Sequence, residues 1–395
     1  MRVGWGCLLA AATQRGPTTT RNIGALTLGS LAVPRFQKLE YSRKNAGGFF
    51  AHLLFLYKVA SQPRTRLWIF ALWLAGFYTI WLSLVISGHH WHTLREHWGI
   101  AVAMAFGSYA AGSTPLGGGT VGFPVLVLLF HQPAALGRDF SFAIQSIGMT
   151  SASIFILCRR QPLEWVMLRW TLAGSLIGTP LGTLFIAPYL PGIVIKVVFA
   201  VIWASFGVLH LYRTEGICAN VGETPAAHRF DRNVGFVLGL LAGATVASIT
   251  GVGIDMILYA VMVLLMRADL KVAIPSTVII MAFTSLVGVA TRNLFGGLKP
   301  GVYENWLAAA PVVALGAPLG AYIVNLIGRK PTLYFVSVLC IGQFIWTMSQ
   351  EFGTLGWMGV GGAVAAVALF NLGFEWLWRV GEKLERRSVP VVVPH

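Results

Sequence analysis

The sequence predicts an all-α polytopic integral membrane protein whose bundle consists of two inverted repeats, each broken by glycines into re-entrant or short half-helices. Three observations carry that expectation. The first is composition: of 395 residues 56% are hydrophobic and only 11% are charged, with a mean hydropathy of +0.71. Soluble domains carry about 25% charged residues, so this chain is not hydrated on all sides, and a large soluble protein with buried helices is set aside. The second is a series of apolar windows that reach the roughly 20 residues needed to cross a bilayer. They begin with 67–87 and continue near 165–187, 193–211, 306–326, 332–348 and 354–374. The third is self-similarity, because one apolar block with a glycine-rich interruption occurs twice.

Taken in order, residues 1–66 form a basic extension expected in the cytoplasm. Arg2, Arg15, Arg21, Arg35, Lys38, Arg43, Lys44, Lys58, Arg64 and Arg66 stand against the single acid Glu40. Basic residues beside a first span hold that side in the cytoplasm and are drawn to an anionic inner leaflet. A solvated arm is the plain reading, a partner-binding arm the alternative. Nucleic acid is not an expected partner despite the net charge of +15, because the charge is placed beside a membrane span. The opening MRVGWGCLLAAATQRG faintly resembles a signal peptide, but its apolar run is short and a basic segment follows, which favours an uncleaved extension. GGFFAHLLFLYKVA, residues 47–60, is too short to span and is expected as an interfacial helix.

Residues 67–88 read as an additional N-terminal transmembrane helix. HHWHTLREH, residues 89–97, follows as an outer loop with His89, His90, His92 and His97. Clustered histidines can bind zinc or nickel, yet no Cys or paired carboxylate completes a ligand set, so a hydrated, Trp-anchored loop is expected. The first transmembrane repeat then covers 98–211, a polar cytoplasmic linker 212–232 and the second repeat 233–348. A C-terminal transmembrane helix at 354–378 and a cytoplasmic tail at 379–395 complete the chain. Cys7, Cys158, Cys218 and Cys340 lie far apart with no CxxC, as small apolar fillers would.

The repeat rests on specific residues. LIGTPLGTLFI at 176–186 recurs as ALGAPLGAYIV at 314–324, and PLGGGTVG meets ITGVGIDM at 249–256. The latter match pairs Gly117 with Gly251 and Gly119 with Gly253. The direction of each half depends on the break. If 98–130 were one kinked span, Arg159, Arg160, Arg213, Arg229 and Arg232 would all fall outside. If the chain turns back at the glycines they lie in the cytoplasm, together with Arg267, Lys271, Arg329 and Lys330, while Arg95, Arg138, Lys196, Arg292 and Lys299 stay outside. The positive-inside bias favours the turn-back, which inverts one half relative to the other, as in many transporters.

Glycine inside an apolar helix costs about 1 kcal/mol against alanine and proline about 3, so PLGGGTVGFPVLVLLF, residues 115–130, needs a reason. Non-helical backbone at membrane depth is tolerated where it is buried in protein or lines a wet cavity. A break also frees amide N–H groups that bind anions without a buried lysine. Gly117, Gly118, Gly119 and Thr120 in the first half, with Gly251 and Gly253 in the second, are therefore candidate substrate-binding positions. Close helix packing is the competing explanation of the glycines. Ser141, Gln145 and Gly148 share one face of the helix after the first break, and Thr277, Thr284, Gly288 and Thr291 share one after the second, with Ser276 beside them. Neutral hydroxyl and amide groups suit an anion that must bind and leave; interhelical hydrogen bonding is the alternative. Arg292 is a further candidate to attract the anion, or a snorkelling residue at the interface. Asp255 lies in an apolar run, and an intramembrane carboxylate is a functional candidate by default. It is the candidate proton carrier, unless the break opens to solvent.

With these pieces in place the chain resembles the sulfite exporter TauE/SafE family of bacterial membrane anion permeases. The resemblance rests on AAGSTPLGGGTVGFPVLVLL, a polar Ser-bearing helix ending in CRRQPL, and the G-x-P-L-G helix, followed by a weaker second copy. It covers roughly 99–348; GVGID departs from the glycine block, and Asp255 has no acidic match in the first half. The resemblance implies secondary transport of small sulfur-containing anions such as sulfite or organosulfonates, expected as export and as proton-coupled, in the bacterial inner membrane with both termini cytoplasmic. Transport of another small anion or of a metal ion is the nearest alternative, and a non-transporting sensory or structural subunit the one from another class. No HExxH, GxSxG or Walker A motif supports an enzyme. The expected partners are a small anionic substrate and the lipid bilayer, with a homodimer left open; no cofactor and no metal site is expected.

Overall fold

A computed structural model describes residues 66–220 and 228–388. The basic extension before Arg66, the expected interfacial helix, the leader-like opening, seven linker residues and the last seven residues lie outside it. Among the described residues the secondary structure is helical and strand-free, and nine helices are long and apolar enough to cross a membrane. The chain is an all-α, multi-pass membrane protein.

Helix α1 (Leu67–Ser87) is followed by a short helix, α2 (Trp91–Glu96). The first half then comprises α3 (Trp98–Ser113), α4 (Gly119–Leu129), α5 (Ala134–Cys158), α6 (Trp165–Phe185) and α7 (Gly192–Ala219). The second half repeats this order as α8 (His228–Thr250), α9 (Ile254–Leu265), α10 (Leu270–Phe295), α11 (Val302–Ile327) and α12 (Arg329–Gln350). Helix α13 (Phe352–Ser388) is the last described element, with a kink at Gly356, where φ is +60°, near its start. The sequence windows at 165–187, 193–211, 306–326, 332–348 and 354–374 fall on α6, α7, α11, α12 and α13.

Both glycine breaks turn the chain back. At the first, Gly99 at the start of α3 lies against Phe130 just past α4, while Met104 and Gly107 lie against Gly122 and Val121. Residues ascending α3 thus meet residues descending α4, and the pair is a hairpin. Sixteen residues in α3 span about 24 Å at 1.5 Å per residue, short of the roughly 30 Å hydrocarbon core, and α4 is shorter still. At the second break α9 returns along the early part of α8. The sequence left open whether the breaks were hairpins or short full spans, and the first break is a hairpin. Each short helix ends in a π-helical turn, Val125–Leu129 and Val261–Leu265. His131 and Arg267, two residues beyond these turns, are both left-handed. Matching the turns pairs Gly117 with Gly253 and Gly119 with Asp255, two residues away from the sequence pairing.

The halves pack reciprocally. α6 lies on α8 and α3 on α11, while α5 meets α10 and α7 meets α12. The first two contacts are close because small residues form them. A Cβ at Gly174, Gly178 or Gly182 of α6 would overlap the backbone of α8, and one at Gly235 or Gly239 would overlap that of α6. Contacts advance together along both helices, so α6 and α8 run parallel. Gly316 against Ser108 and Gly112 against Ala321 show the same for α3 and α11. α5 and α10 are antiparallel, since Asp139 near the start of one meets Arg292 near the end of the other. So are α7 and α12, which are joined by Lys196–Glu351 at one end and Glu215–Lys330 at the other.

Burial sorts the helices. α5 and α10 are mostly enclosed, whereas few residues of α1 and α13 are buried. Polar residues are tolerated on α5 and α10 because protein, not lipid, surrounds them. α1 is nevertheless anchored: Tyr78 donates to Pro311 O at 2.6 Å and Trp81 Nε1 to Leu307 O at 2.9 Å. α13 is held where Trp378 lies between Arg213 and Arg267, 4.8 and 3.7 Å from its ring centroid.

Candidate functional site

The two breaks meet on α5. In the first, α3 ends at the extended residue Thr114 and the chain runs through Gly117–Gly119 into α4. In the second, Gly251 (φ 80°) and Gly253 (φ 98°) adopt the left-handed conformation, which side chains with a Cβ rarely enter. A methyl on Gly117 would overlap Gln145 Oε1 and lie 3.5 Å from Asp255 Oδ2. One on Gly119 would reach 2.8 Å from Ser141 Oγ and overlap Val252 of the second break. One on Gly251 would overlap the Arg138 carbonyl and lie 2.9 Å from Ser141 Cβ. Backbone from each half therefore closes on the same turn of α5, where Ser141 and Gln145 stand four residues apart.

Two polar side chains are enclosed there, Gln145 at 1% exposure and Asp255 at 0%. Gln145 Nε2 donates to Ser141 O at 2.9 Å and to Gly251 O at 3.1 Å, so this amide crosses from α5 to the second break. Its Oε1 has no hydrogen-bond partner. Asp255 Oδ1 accepts from Met256 N at 3.0 Å. The amides of Gly253 and Gly117 also face the carboxylate, yet Oδ2 is without a hydrogen bond. Buried polar groups are normally paired, so two orphaned oxygens beside the same glycine mark this place.

α7 packs on both breaks. Trp203 Nε1 donates to Thr120 Oγ1 at 2.8 Å, and the Trp203 ring lies 3.3 Å from where a Cβ of Gly253 would stand. Trp203 stacks on Phe199 at 4.0 Å and Phe199 on Phe123 at 4.2 Å. This ladder fixes α4 against α7. Sequence reasoning passed over Trp203; the available signal was its mid-span position, since tryptophan in membrane proteins concentrates at the interfaces and a buried indole N–H needs a partner. It also passed over His210, which is fully buried and bonds Tyr259 Oη at 3.0 Å and Phe206 O at 2.9 Å.

The other candidates divide. Gly118 faces Met104 and Ala111 of α3, inside the hairpin and away from Gln145. Ser276 Oγ accepts from Glu164 N at 3.0 Å and donates to Val272 O, which fastens the loop before α6. Thr277 Oγ1 donates to Ile274 O of its own helix. Thr284 Oγ1 is buried without a partner. Arg292 is committed to an ion cluster: it meets Asp139 at 3.1 Å, Arg138 meets the same carboxylate at 2.9 Å, and Arg138 also donates to Ala187 O. The cluster joins α5 to α10 at the end that carries Lys299, whose backbone N–H reaches Asp139 at 3.4 Å. In the segment after α1, His92 pairs with Glu96 at the surface.

Backbone amides at the converging breaks can attract an anionic ligand, and the one buried carboxylate beside them can respond to protonation. No curated protein and no solved structure matches the chain. The family described as sulfite exporter TauE/SafE matches residues 99–346, a stretch that begins at α3 and ends within α12 and so takes in both breaks and their helices. With more than half of its length covered in this way, the chain belongs to the sulfite exporter TauE/SafE family.

Proposed function

We propose that this protein is a secondary permease that exports small sulfur-containing anions, sulfite or organosulfonates, through a site formed where the two breaks meet. Family membership supports the coarse statement, a membrane transporter of sulfite-type anions. The observation that carries the finer one is the convergence of Gly117 and Gly119 with Gly251 and Asp255 on Ser141 and Gln145. Backbone amides freed at such breaks attract an anion, and the enclosure strengthens that attraction relative to water.

The reciprocal, direction-reversing packing of the halves supports their reading as inverted repeats, with alternating access by movement of one unit against the other. The helix directions bring Arg159, Arg213, Arg232, Arg267 and Lys330 to one end of the bundle. That supports a cytoplasmic assignment of this end and of both termini, in a bacterial inner membrane. Asp255 is the proposed proton site. An ionised carboxylate beside Gly117 repels an anion, whereas the neutral form admits it, so proton and anion favour each other's binding, and by linkage the effect is reciprocal.

The test is flux through the purified protein in proteoliposomes, with sulfite, sulfate and simple alkanesulfonates against phosphate and a divalent metal ion. Net movement of sulfur oxyanions above that of phosphate is expected. Flux of the metal ion or of phosphate alone would replace this reading by one of the transport alternatives. No flux of any solute from folded protein would favour a sensory or structural subunit.

A further inference from the structure

We infer that neutral Asp255 donates a hydrogen bond from Oδ2 to Oε1 of Gln145 across Gly117, so that a single proton ties the second glycine break to α5. The inference rests on the reading of Asp255 as the proton site and extends it to Gln145, as a positioning residue. Sequence reasoning placed Gln145 among anion contacts, but its geometry argues otherwise. Both amide hydrogens are held by carbonyls, Ser141 O and Gly251 O. Turning the amide over would set its oxygen against those two carbonyl oxygens, so its orientation is fixed by the network. What Gln145 presents toward Gly117 is an acceptor without a donor. Asp255 presents a second one, Oδ2, beside the same glycine.

Two acceptors beside the same glycine repel an anion while Asp255 is ionised. A metal ion is also a poor fit, because hard cations gather six or more oxygens and the groups that hydrogen-bond this carboxylate are backbone N–H groups, those of Met256, Asp255, Gly253 and Gly117. One proton satisfies both oxygens. It comes from water on the side to which the site is open and returns to water when the site reopens; no other bond changes. With Asp255 ionised, the two oxygens oppose each other and the break is pushed from α5.

The surrounding charges do not intervene. On α5 and α10, Arg138, Asp139 and Arg292 bind one another. On α7, Lys196 binds Glu351 and His210 binds Tyr259 of α9. Lys271 of α10, and Asp231 and Arg232 of α8, lie near the starts of their helices, at the linker end of the bundle. Gly117 has no substitute here, since a methyl group would occupy the place of the Gln145 oxygen.

The test is infrared difference spectroscopy of the full chain in liposomes, stepped in pH and read without any transport. A protonated carboxyl C=O band is expected, and it should be lost in Asp255→Asn. In Gln145→Leu, and in the shape-conserving Gln145→Met should leucine fail to fold, that band should move to higher wavenumber as its acceptor is removed. Gly117→Ala should move it the same way and Gly118→Ala should not. A band unmoved in both Gln145 variants overturns the bridge while leaving Asp255 as a proton site. Loss of the band on adding sodium, but not potassium, at constant pH overturns it in favour of a sodium site. No Asp255-dependent band at any pH overturns the bridge and the proton-site reading together. A band that shifts as expected in a protein without flux upholds the bridge and removes only its link to transport.

Discussion

Gly117 and Gly118 are adjacent and chemically identical, and their surroundings predict different fates. A methyl at Gly117 overlaps the Gln145 amide, whereas one at Gly118 meets the flexible end of Met104 at 3.2 Å. Overpacking an enclosed site costs roughly 1–3 kcal/mol, so Gly117→Ala should lower transport by about tenfold or more. Gly118→Ala should transport almost normally, as measured by initial flux per inserted protein. Equal behaviour of the two would mean that the glycines serve only the hairpin. For Asp255→Asn, the neutral side chain removes the charge that opposes an anion. Anion binding should persist and lose its dependence on pH, while accumulation driven by an imposed pH gradient should collapse to exchange or downhill flux. Retained pH-driven accumulation would place coupling elsewhere. Asp255 was legible in the sequence because an acid in an apolar run is conspicuous, and Ser141 and Gln145 because they share a helical stripe. Arg292 was misleading. Its partner Asp139 lies 153 residues away, and no local pattern announces an ion pair at that separation.

At the scale of elements, the hairpins and the parallel α6–α8 seam hold the breaks in place. The seam depends on glycine carrying no side chain: a Cβ at Gly178 would overlap the Leu240 carbonyl, and backbone on both sides leaves nothing flexible to yield. Gly178→Ala should therefore destabilise the protein by roughly 1–3 kcal/mol, read as a lower melting temperature in detergent. Gly342, where an added Cβ would meet nothing within 4 Å, should accept alanine without change. If the two substitutions behave alike, the seam is not a determinant of stability. The sequence showed that the block repeats, since glycine, proline and leucine recur in order. It did not show the register, because GVGID retains too few glycines to anchor an alignment. The paired π-helical turns and the left-handed His131 and Arg267 supply that register, and with it the finding that Asp255 occupies the place of Gly119. Met281 likewise stands where Gln145 stands in the first half, eleven residues into its helix. The polar pair thus takes one member from each half, and a symmetric reading of the repeats could not have found it.

At the scale of the whole molecule, the directions of ten helices follow from a few contacts, and they determine which loops share a side. Parallel α6 and α8, parallel α3 and α11, and antiparallel α5 and α10 require the loop after α5 to lie with the linker and with the loop between α11 and α12. The loop between α1 and α3 lies at the other end, with the Arg138–Asp139–Arg292 cluster. Basic side chains at the linker end reach acids on α13, as in Arg213–Glu375 and Arg267–Glu385, so the charge there is partly neutralised within the protein. Its excess supports the proposed cytoplasmic assignment of that end by the positive-inside bias. In a background lacking the native cysteines, a cysteine at Gln161 should be reached by a membrane-impermeant thiol reagent only from the cytoplasmic side. One at Thr93 should be reached only from the opposite side, because α5 and α1 end on different faces of the bundle. Labelling of both from one side would contradict the turn-back at the glycines, since a single continuous span through α3 and α4 would carry the Gln161 loop across the membrane. The opposite pattern, with each position labelled from the face expected of the other, would keep the fold and reverse its orientation. It would show that the basic residues at the linker end are held by Glu375 and Glu385 too firmly to set topology.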